Sequence, residues 1–507
     1  MRLGLKQITN NIFGGWLYYA LTVASGLVLT PFLVSRLGMS AYGLLSVGTT
    51  FFLCLELLQD ALNSMTGRFM IVAINSGDRN SAEEYFNSAL FSALFLLIPI
   101  SFGLAAIVVF RDFLFNIPAD QSGAFLLLLI FACGTFLMKF GSAQFACAFF
   151  VSNRIDLKNV LNSVAKIVYI VAAPLLIVKV SANVGFVAAA EFMGGAVICL
   201  GSIWAWRRFL PQIRIGLQYF RRKHLRELLF SGVWYSINNV NGILFNAIDI
   251  YIANLFFPGQ EGIIAIAKGF PGYFYSMMLV VRNAFAPSFV YVFARYDSRE
   301  IHDSLSVVSR VMIFLGAIVL AGWGVWGMSF LKLWLPKQDC ELMFWMTSGL
   351  FFPYIFSLSL QYYLSIYIAA NSMKKPAMFF FALGAAKVLA TILLIRYTKL
   401  GVWSIIVSSA GCNLIRDFVF AIYYIGKLLS VKASFFLAWC AIGIADFALL
   451  YGVFFGISKL GIPSGTWLGF GLNAAVSLLV GGGVNALFHF CFSEQLKKLF
   501  SKFARRA

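Results

Sequence analysis

The sequence predicts an all-α polytopic membrane protein of about fourteen transmembrane helices, and three observations support that class. The 507 residues are 61% hydrophobic and 12% charged, with a mean hydropathy of +0.86. A soluble domain is about 45–50% apolar and about 25% charged, so no globular core hides this much apolar surface. Apolar runs of bilayer-spanning length recur along the whole chain. At about 35 residues per helix and loop they use it up, leaving no room for a sizeable soluble domain. The third observation is how the basic residues are sorted. Of 39 Lys and Arg, 24 fall at the N-terminus, in alternate loops and in the tail; eight fall in the intervening loops and seven within spans. By the positive-inside rule both termini are cytoplasmic and the span count is even. The formal charge of +19 is therefore a topology signal and calls for no nucleic acid. Soluble enzymes, nucleic-acid-binding domains and disulfide scaffolds are excluded. Cys54, Cys133, Cys147 and Cys199 lie in apolar runs without a CxxC pair and read as small buried apolar residues.

The first apolar run, Ile12 to Val34, is too long for a signal peptide and lacks its cleavage site. Spans are expected near 12–35, 41–66, 84–110, 123–149, 159–179, 183–206, 229–256, 262–293, 305–331, 341–369, 376–396, 400–426, 433–457 and 465–491. The longest hydrophilic stretch, 207–228, carries Arg207, Arg208, Arg214, Arg221, Arg222, Lys223 and Arg226. It reads as an amphipathic cytoplasmic linker on the anionic leaflet, or simply as an orientation anchor. Phe13-x-Gly15-x-x-Tyr18 in the first span matches Phe230-x-Gly232-x-x-Tyr235 in the seventh. Gly43-Leu44-Leu45 matches Gly262-Ile263-Ile264 in the spans that follow. The repeat divides the chain into an N-terminal lobe (1–206), the linker (207–228), a C-terminal lobe (229–426), two further spans (427–492) and a basic tail (493–507). Six spans per unit keep both units in the same orientation. The expected pseudo-twofold runs along the membrane normal, with one lobe rocking against the other.

The chemistry of an enzyme is not legible. There is no phosphate-binding G-x-x-x-x-G-K-[ST] loop, no histidine pair with metal-ligand spacing and no Ser/His/Asp set. Ionisable residues inside spans are costly and mark function by default. The acids are Glu56, Asp60, Glu191, Asp249, Asp417 and Asp446; the bases are Lys139, Lys166, Lys268, Arg282, Arg310, Lys387 and Arg416. Glu56 and Asp60 are one helical turn apart, which suits proton uptake or two separate helix–helix bonds. Tyr235, Asn239, Gly242, Asn246 and Asp249 form a polar stripe, with coupling-ion binding or gating and a helix–helix hydrogen bond as its two readings. Lys268, Tyr275 and Arg282 share a face in span 8. Arg282 is deep in the span, permanently charged and fork-shaped, which suits a phosphate group; its alternative is an ion pair with Asp249 or Asp60. Lys139 and Lys387 lie near mid-membrane. Arg416 and Asp417 are adjacent and are expected to point to different faces and pair with other helices.

Several segments carry a family resemblance. Arg36-Leu37-Gly38 followed by Tyr42-Gly43-Leu44, the acidic segment Leu57-Leu58-Gln59-Asp60-Ala61-Leu62 to Arg68-Phe69, Asp249 in span 7, Gly262-Ile263-Ile264-Ala265-Ile266-Ala267 with Pro287, and Leu331-Lys332-Leu333-Trp334-Leu335 are similar to segments of one family. The chain resembles the polysaccharide-exporter branch of the multidrug/oligosaccharidyl-lipid/polysaccharide (MOP) superfamily, whose best-known members are Wzx-type O-antigen flippases. It departs from them in having Ala61-Leu62-Asn63 where a glycine is usual, and in Lys268 and Phe270.

The resemblance implies a flippase for an undecaprenyl-pyrophosphate-linked oligosaccharide, working in surface-polysaccharide synthesis in the bacterial inner membrane. Its partners would be membrane lipids, the lipid-linked glycan and polysaccharide polymerase machinery. No cofactor is implied beyond an H+ or Na+ gradient, in which one charge is worth about 2.3 kcal/mol per 100 mV. Arg282, Lys139, Lys387, Lys268 and Tyr275 are the candidates for binding pyrophosphate or glycan. Asp60, Glu56, Asp249 and Asn246 are the candidates for ion coupling or gating. A flippase for a teichoic-acid or peptidoglycan precursor and a multidrug/cation antiporter are the alternatives; five bases in the second-half spans weigh against the antiporter.

Overall fold

Long apolar helices dominate the computed structural model, which describes residues 5–295, 298–370 and 372–491. Side chains at 57–64, 231–236, 238 and 239, which include Asp60, Tyr235 and Asn239, lie outside the described residues. The helices are α1 (Leu5–Leu37), α2 (Met39–Asn75), α3 (Arg79–Val109), α4 (Ser122–Ser142, prolonged by Ala143–Ala146 and Cys147–Val151), α5 (Ile155–Lys179), α6 (Val184–Phe209), α7 (Arg222–Gly242, Ile243–Ala247, Ile248–Phe256) and α8 (Glu261–Arg295). They continue as α9 (Ser298–Trp334), α10 (Cys340–Ser357, then Leu358–Leu360 and Tyr363–Ala369), α11 (Lys374–Tyr397), α12 (Trp403–Leu414, Ile415–Ala421, Ile422–Leu429), α13 (Ala433–Ser458) and α14 (Trp467–Cys491). No strand occurs among the described residues.

Thirteen of these helical runs are long and apolar enough to cross a membrane, one fewer than expected. The difference is α7, in which only Val240–Phe256 is apolar. Its first half carries Asn238, Asn239 and Asn241, and Ile243–Ala247 forms a π-helical turn. Such a turn is a wide, costly irregularity that recurs at functional sites. Ile415–Ala421 of α12 forms a second one.

Local chemistry explains the breaks between helices. Gly38 separates α1 from α2 at φ +85°, a left-handed value that a Cβ disfavours. Asp78 caps α3 by accepting from Ser81 N at 3.0 Å, Asn183 caps α6 by accepting from Gly185 N at 2.7 Å, and Asp339 caps α10 by accepting from Leu342 N at 2.9 Å. The stretch 159–206 thus divides into two spans as expected. Large apolar side chains such as Phe95, Ile98 and Phe102 on α3 point outward. Lipid is the solvent that tolerates them, and helices are the form that satisfies every backbone group in it.

The chain packs as two compact units, Met1–Ala265 with Ala377–Val388, and Ile266–Pro376 with Leu389–Ala507. In the first unit α1 packs on α5, α4 on α6, and α2 on α3, α4 and α7, around Phe52, Phe115, Phe125 and Leu128. In the second unit α9 packs on α10, α13 and α14, and α10 packs on α12. The sequence repeat begins the second lobe at α7, whereas α7 and the first turn of α8 are part of the first unit.

Every fourth residue of α14 from Asn473 to His489 is polar or glycine, and this stripe is buried. Ser477 Oγ accepts from Trp326 Nε1 at 3.1 Å and Asn485 Nδ2 donates to Phe314 O at 3.0 Å, binding α14 to α9. His489 Nε2 stands 3.4 Å from the buried Asp446 of α13.

The basic stretch 207–228 is a strap across the end of α3. Asn87 donates to Arg214 O at 2.8 Å and accepts from Gly216 N at 2.9 Å, while Glu83 accepts from Arg214 N at 3.1 Å. Ser88 accepts from Arg221 N at 2.9 Å. Glu84 holds Arg221 at 3.0 Å and His224 at 2.9 Å. The seven basic side chains themselves are exposed, except that the Arg221 head is held by Glu84.

Candidate functional site

Among the described residues, besides the His489–Asp446 pair, three clusters of ionisable side chains sit among the spans. The first is built on α2, α4, α5 and α6 of the first unit. Lys139 Nζ donates to Glu56 Oε1 at 2.8 Å, and the pair is part-exposed, with 21% of the Lys139 and 31% of the Glu56 side chain accessible. Glu191 on α6 is close enough to act electrostatically on both Lys139 and Lys166. Glu56 and Glu191 line a cavity of about 240 Å³ with Thr49, Thr50, Thr135 and the apolar Phe52 and Leu128. Two carboxylates, two ammonium groups and three hydroxyls here balance in formal charge, and Glu56 and Glu191 both face the cavity. Glu191 and Lys166 were not singled out by the sequence. Their spacing to Glu56 runs across three helices and leaves no trace in a linear pattern.

The second cluster, also in the first unit, joins α7 to α11. Lys387 Nζ lies 2.8 Å from Asp249, and both side chains are fully buried. The same ammonium donates to Phe245 O at 2.7 Å and to Leu244 O at 3.3 Å. Those carbonyls are turned aside by the π-helical turn, and so are available to a side chain. Gly384, one turn before Lys387, leaves room for α7: a Cβ there would stand 2.8 Å from Leu244 Cβ. The oxygen cage around the buried cation offsets its desolvation, which an isolated ion pair in a low-dielectric interior does not manage alone. Two residues assigned different roles on sequence grounds, Lys387 for substrate and Asp249 for coupling, are thus each other's partners. Asn246, in the same turn, is exposed.

The third cluster lies in the second unit. Arg282 on α8 is 7% exposed, and among the described residues no acid stands within ion-pair distance of it. The alternative pairing with Asp249 is taken by Lys387; Asp60 is outside the described side chains. Tyrosines from two helices, α8 and α10, belong to this cluster. Tyr363 is an electrostatic neighbour of Arg282, Tyr275, Arg416 and Asp417, and Tyr354 is one of Tyr275, Arg416 and Asp417. The Arg416 guanidinium lies 5.6 Å from the centre of the Tyr363 ring. Arg416 and Asp417 bond to one another through two contacts of 2.8 and 3.3 Å, which corrects the expectation that they pair with other helices. The π-helical turn that contains both places their side chains within mutual reach. With two guanidinium groups and one carboxylate, the cluster carries one net positive charge among aromatic hydroxyls. That arrangement can take an anion and stack on a flat or sugar-like ring. Tyr275 is half-buried and belongs here; Lys268, ten residues earlier in the chain than Met278, is half-buried on the same helix.

No family model matches the chain. A curated relative, the uncharacterized membrane protein EpsK of Bacillus subtilis (strain 168), is 23% identical over 434 residues, covering 85% of each chain. Among solved structures, the lipid II flippase MurJ in its inward closed conformation superposes with a TM-score of 0.66 at 13% identity, over 97% of this chain and 100% of that one. An inward-facing multidrug resistance MATE family transporter of the MOP superfamily gives 0.62 at 16% identity, over 82% and 96% of the two chains. A MOP superfamily transporter from Pyrococcus furiosus, described as having a binding pocket of reversed polarity, gives 0.60 at 15% identity, over 87% and 96%. The fold is the one these MATE and MurJ transporters share.

Proposed function

We propose, with that shared transporter fold as the premise, that the chain is a flippase for an undecaprenyl-pyrophosphate-linked oligosaccharide repeat unit. It would move the unit from the cytoplasmic to the outer leaflet by alternating access, for O-antigen, capsule or exopolysaccharide synthesis alongside a polymerase. Its place is the bacterial cytoplasmic membrane, with both termini in the cytoplasm. The observation that carries this reading is Arg282, a permanent cation, buried, without an acid among the described residues and an electrostatic neighbour of Tyr363. Such a group binds a phosphate through paired, charge-assisted hydrogen bonds. Lys139 and Lys387 hold carboxylates already, so they are secondary as phosphate ligands. Lys268 and Tyr275 extend the Arg282 face. Glu56, with Glu191 beside the same cavity, is the stronger candidate for coupling to H+ or Na+; Asp249 is occupied by Lys387. Asp60 and Asn246 keep the coupling or gating role that the sequence suggested.

The test is to purify the protein from its own host in mild detergent and identify the co-purified lipids by mass spectrometry, beside Arg282→Ala and Arg282→Lys. A polyprenyl-pyrophosphate glycan is expected on the wild type, absent from Arg282→Ala and reduced on Arg282→Lys. Equal retention on all three removes Arg282 from the site. The near-complete superposition on MurJ supports a second reading, a peptidoglycan precursor as cargo; the mass of the co-purified headgroup separates the two. Stabilisation by a cationic drug, with no polyprenyl lipid bound, would favour the antiporter.

A further inference from the structure

The end of α6, the strap and the opening of α7 form one strongly basic stretch of the first unit. Arg207, Arg208, Arg222, Lys223 and Arg226 are all exposed there. Acids stand close by, yet the fold has engaged them elsewhere. Asp78 caps α3 through Ser81. Glu83 accepts from Arg214 N and pairs with Arg79 at 3.4 Å. Glu84 holds Arg221 and His224, and Glu227 holds the Tyr85 hydroxyl and His224. None of the five exposed cations has an acid within ion-pair distance among the described residues. Large apolar side chains are interleaved with them. Ile215 and Leu217 of the strap and Phe230 of α7 are each more than half exposed, and Leu229 is nearly so. Arg222, Arg226 and Phe230 recur every four residues and so share a face of α7. The Arg226 guanidinium lies 5.3 Å from the centre of the Phe230 ring. This face passes from charge to hydrocarbon within about two turns, as the boundary between lipid headgroups and acyl chains does. Bonds to Asn87, Glu83 and Ser88 of α3 fix the strap backbone, so little freedom is lost when a ligand settles on it.

We infer that this stretch is a binding surface for anionic phospholipid headgroups of the leaflet that the charge count makes cytoplasmic. Arg222 and Arg226 hold the headgroup phosphate through charge-assisted hydrogen bonds. Phe230 and Leu229 above them, with Ile215 and Leu217 of the strap, meet the acyl region. An orientation signal needs only enough cations on one side of the membrane. It is indifferent to whether they are paired with acids or set among apolar groups. Here the neighbouring acids are drawn inward and the cations are left free beside exposed hydrocarbon, which is what an anionic lipid requires. Clusters of four or more Lys and Arg next to a span attract such lipids, each cation contributing up to about fivefold. The lipid is a standing ligand of the protein and not its cargo, so the inference is independent of the flippase reading.

The full chain in phosphatidylcholine nanodiscs tests it, with photoreactive phosphatidylglycerol or photoreactive phosphatidylcholine added as a minor component. Crosslinked peptides are quantified by mass spectrometry. Both faces of a nanodisc are open, so the readout does not depend on the orientation in the cell. Residues 207–230 are expected to take about fivefold more label from phosphatidylglycerol than from phosphatidylcholine, and raised salt should narrow the difference. Arg222→Gln/Arg226→Gln should lower the preference to about twofold or less, whereas Arg222→Lys/Arg226→Lys should keep most of it. The glutamine pair removes two of the 24 basic residues on this side, so the spans keep their orientation. Labelling around Phe95, Ile98 and Phe102 of α3 is the control and should not differ between the variants. If the glutamine pair fails to fold, Arg207→Gln/Arg208→Gln at the end of α6 carries the test, with a partial loss expected. Equal labelling by the two lipids in the wild type, or an undiminished preference in a folded glutamine variant, would overturn the surface. No cargo is present in the nanodiscs, so the outcome is separate from that of the co-purified glycolipid.

Discussion

Lys139 and Lys387 each hold a carboxylate at 2.8 Å in the same unit, and their surroundings differ completely. Lys387 and Asp249 are fully buried, and two backbone carbonyls complete the cage around the ammonium. Lys139 and Glu56 remain part-exposed beside a cavity lined by a second carboxylate, Glu191. The same bond length therefore serves two purposes. A caged pair is a fixture, because separating it strands a charge in low dielectric. A pair at a cavity can trade its partner for a proton, a cation or water at small cost, which is what a coupling site requires.

The largest effect is expected from breaking the cage. Lys387→Met leaves Asp249 buried and unpaired and should cost about 3–5 kcal/mol. Thermal unfolding in detergent reads it, and the double variant Lys387→Met/Asp249→Leu should recover most of the loss. A single variant as stable as the wild type would show that the cage is not a fixture. The counterpart, Lys139→Met, should change stability by less than about 1 kcal/mol, as expected of a part-exposed pair. On the proposed flippase reading it should nevertheless shift the pH dependence of transport, measured in vesicles. A loss of stability as large as that of Lys387→Met would erase the distinction between the pairs.

A third carboxylate, in water, sharpens the comparison. Glu227, at the end of the strap, accepts from the Tyr85 hydroxyl at 2.6 Å and contacts His224 at 3.3 Å. These bonds hold its carboxyl below the usual value of 4.5. Its contribution to docking is therefore present above about pH 4.5 and is lost as the pH falls through the lowered value. Hydrogen exchange at 212–221 should quicken only on the acid side; equal exchange across that range would remove Glu227 from the latch. The effect is local and the smallest of the three.

How much of this was legible in the sequence depends on whether a feature is local. Spans could be read because lipid imposes a run of about 20 apolar residues on each helix. The repeat could be read because Gly43 and Gly262 mark equivalent turns. The sites were legible only in part. Arg282 stood out because its cost in a span is intrinsic to the residue. The pairing of Lys387 with Asp249 depends on a π-helical turn, for which Ile243–Ala247 carries no recognisable code. Arg416 and Asp417 misled for the same reason. The stripe from Asn473 to His489 has a visible four-residue period, yet a period does not say whether a cavity or α9 faces it. Tyr363 joins Arg282 from another helix, and no linear spacing records that.

The strap has a consequence for how the protein is made. Asn87, Ser88, Glu83 and Glu84 of α3 lack their partners on the connector until 212–224 leaves the ribosome. Once it does, α3 is tied to its connector before the rest of the second half exists. Chains fold from the N-terminal side during synthesis, so α7 enters the membrane from an anchored starting point. The insertion machinery then receives the later helices one after another from a fixed origin, and the first unit is complete only once Ala377–Val388 has joined it.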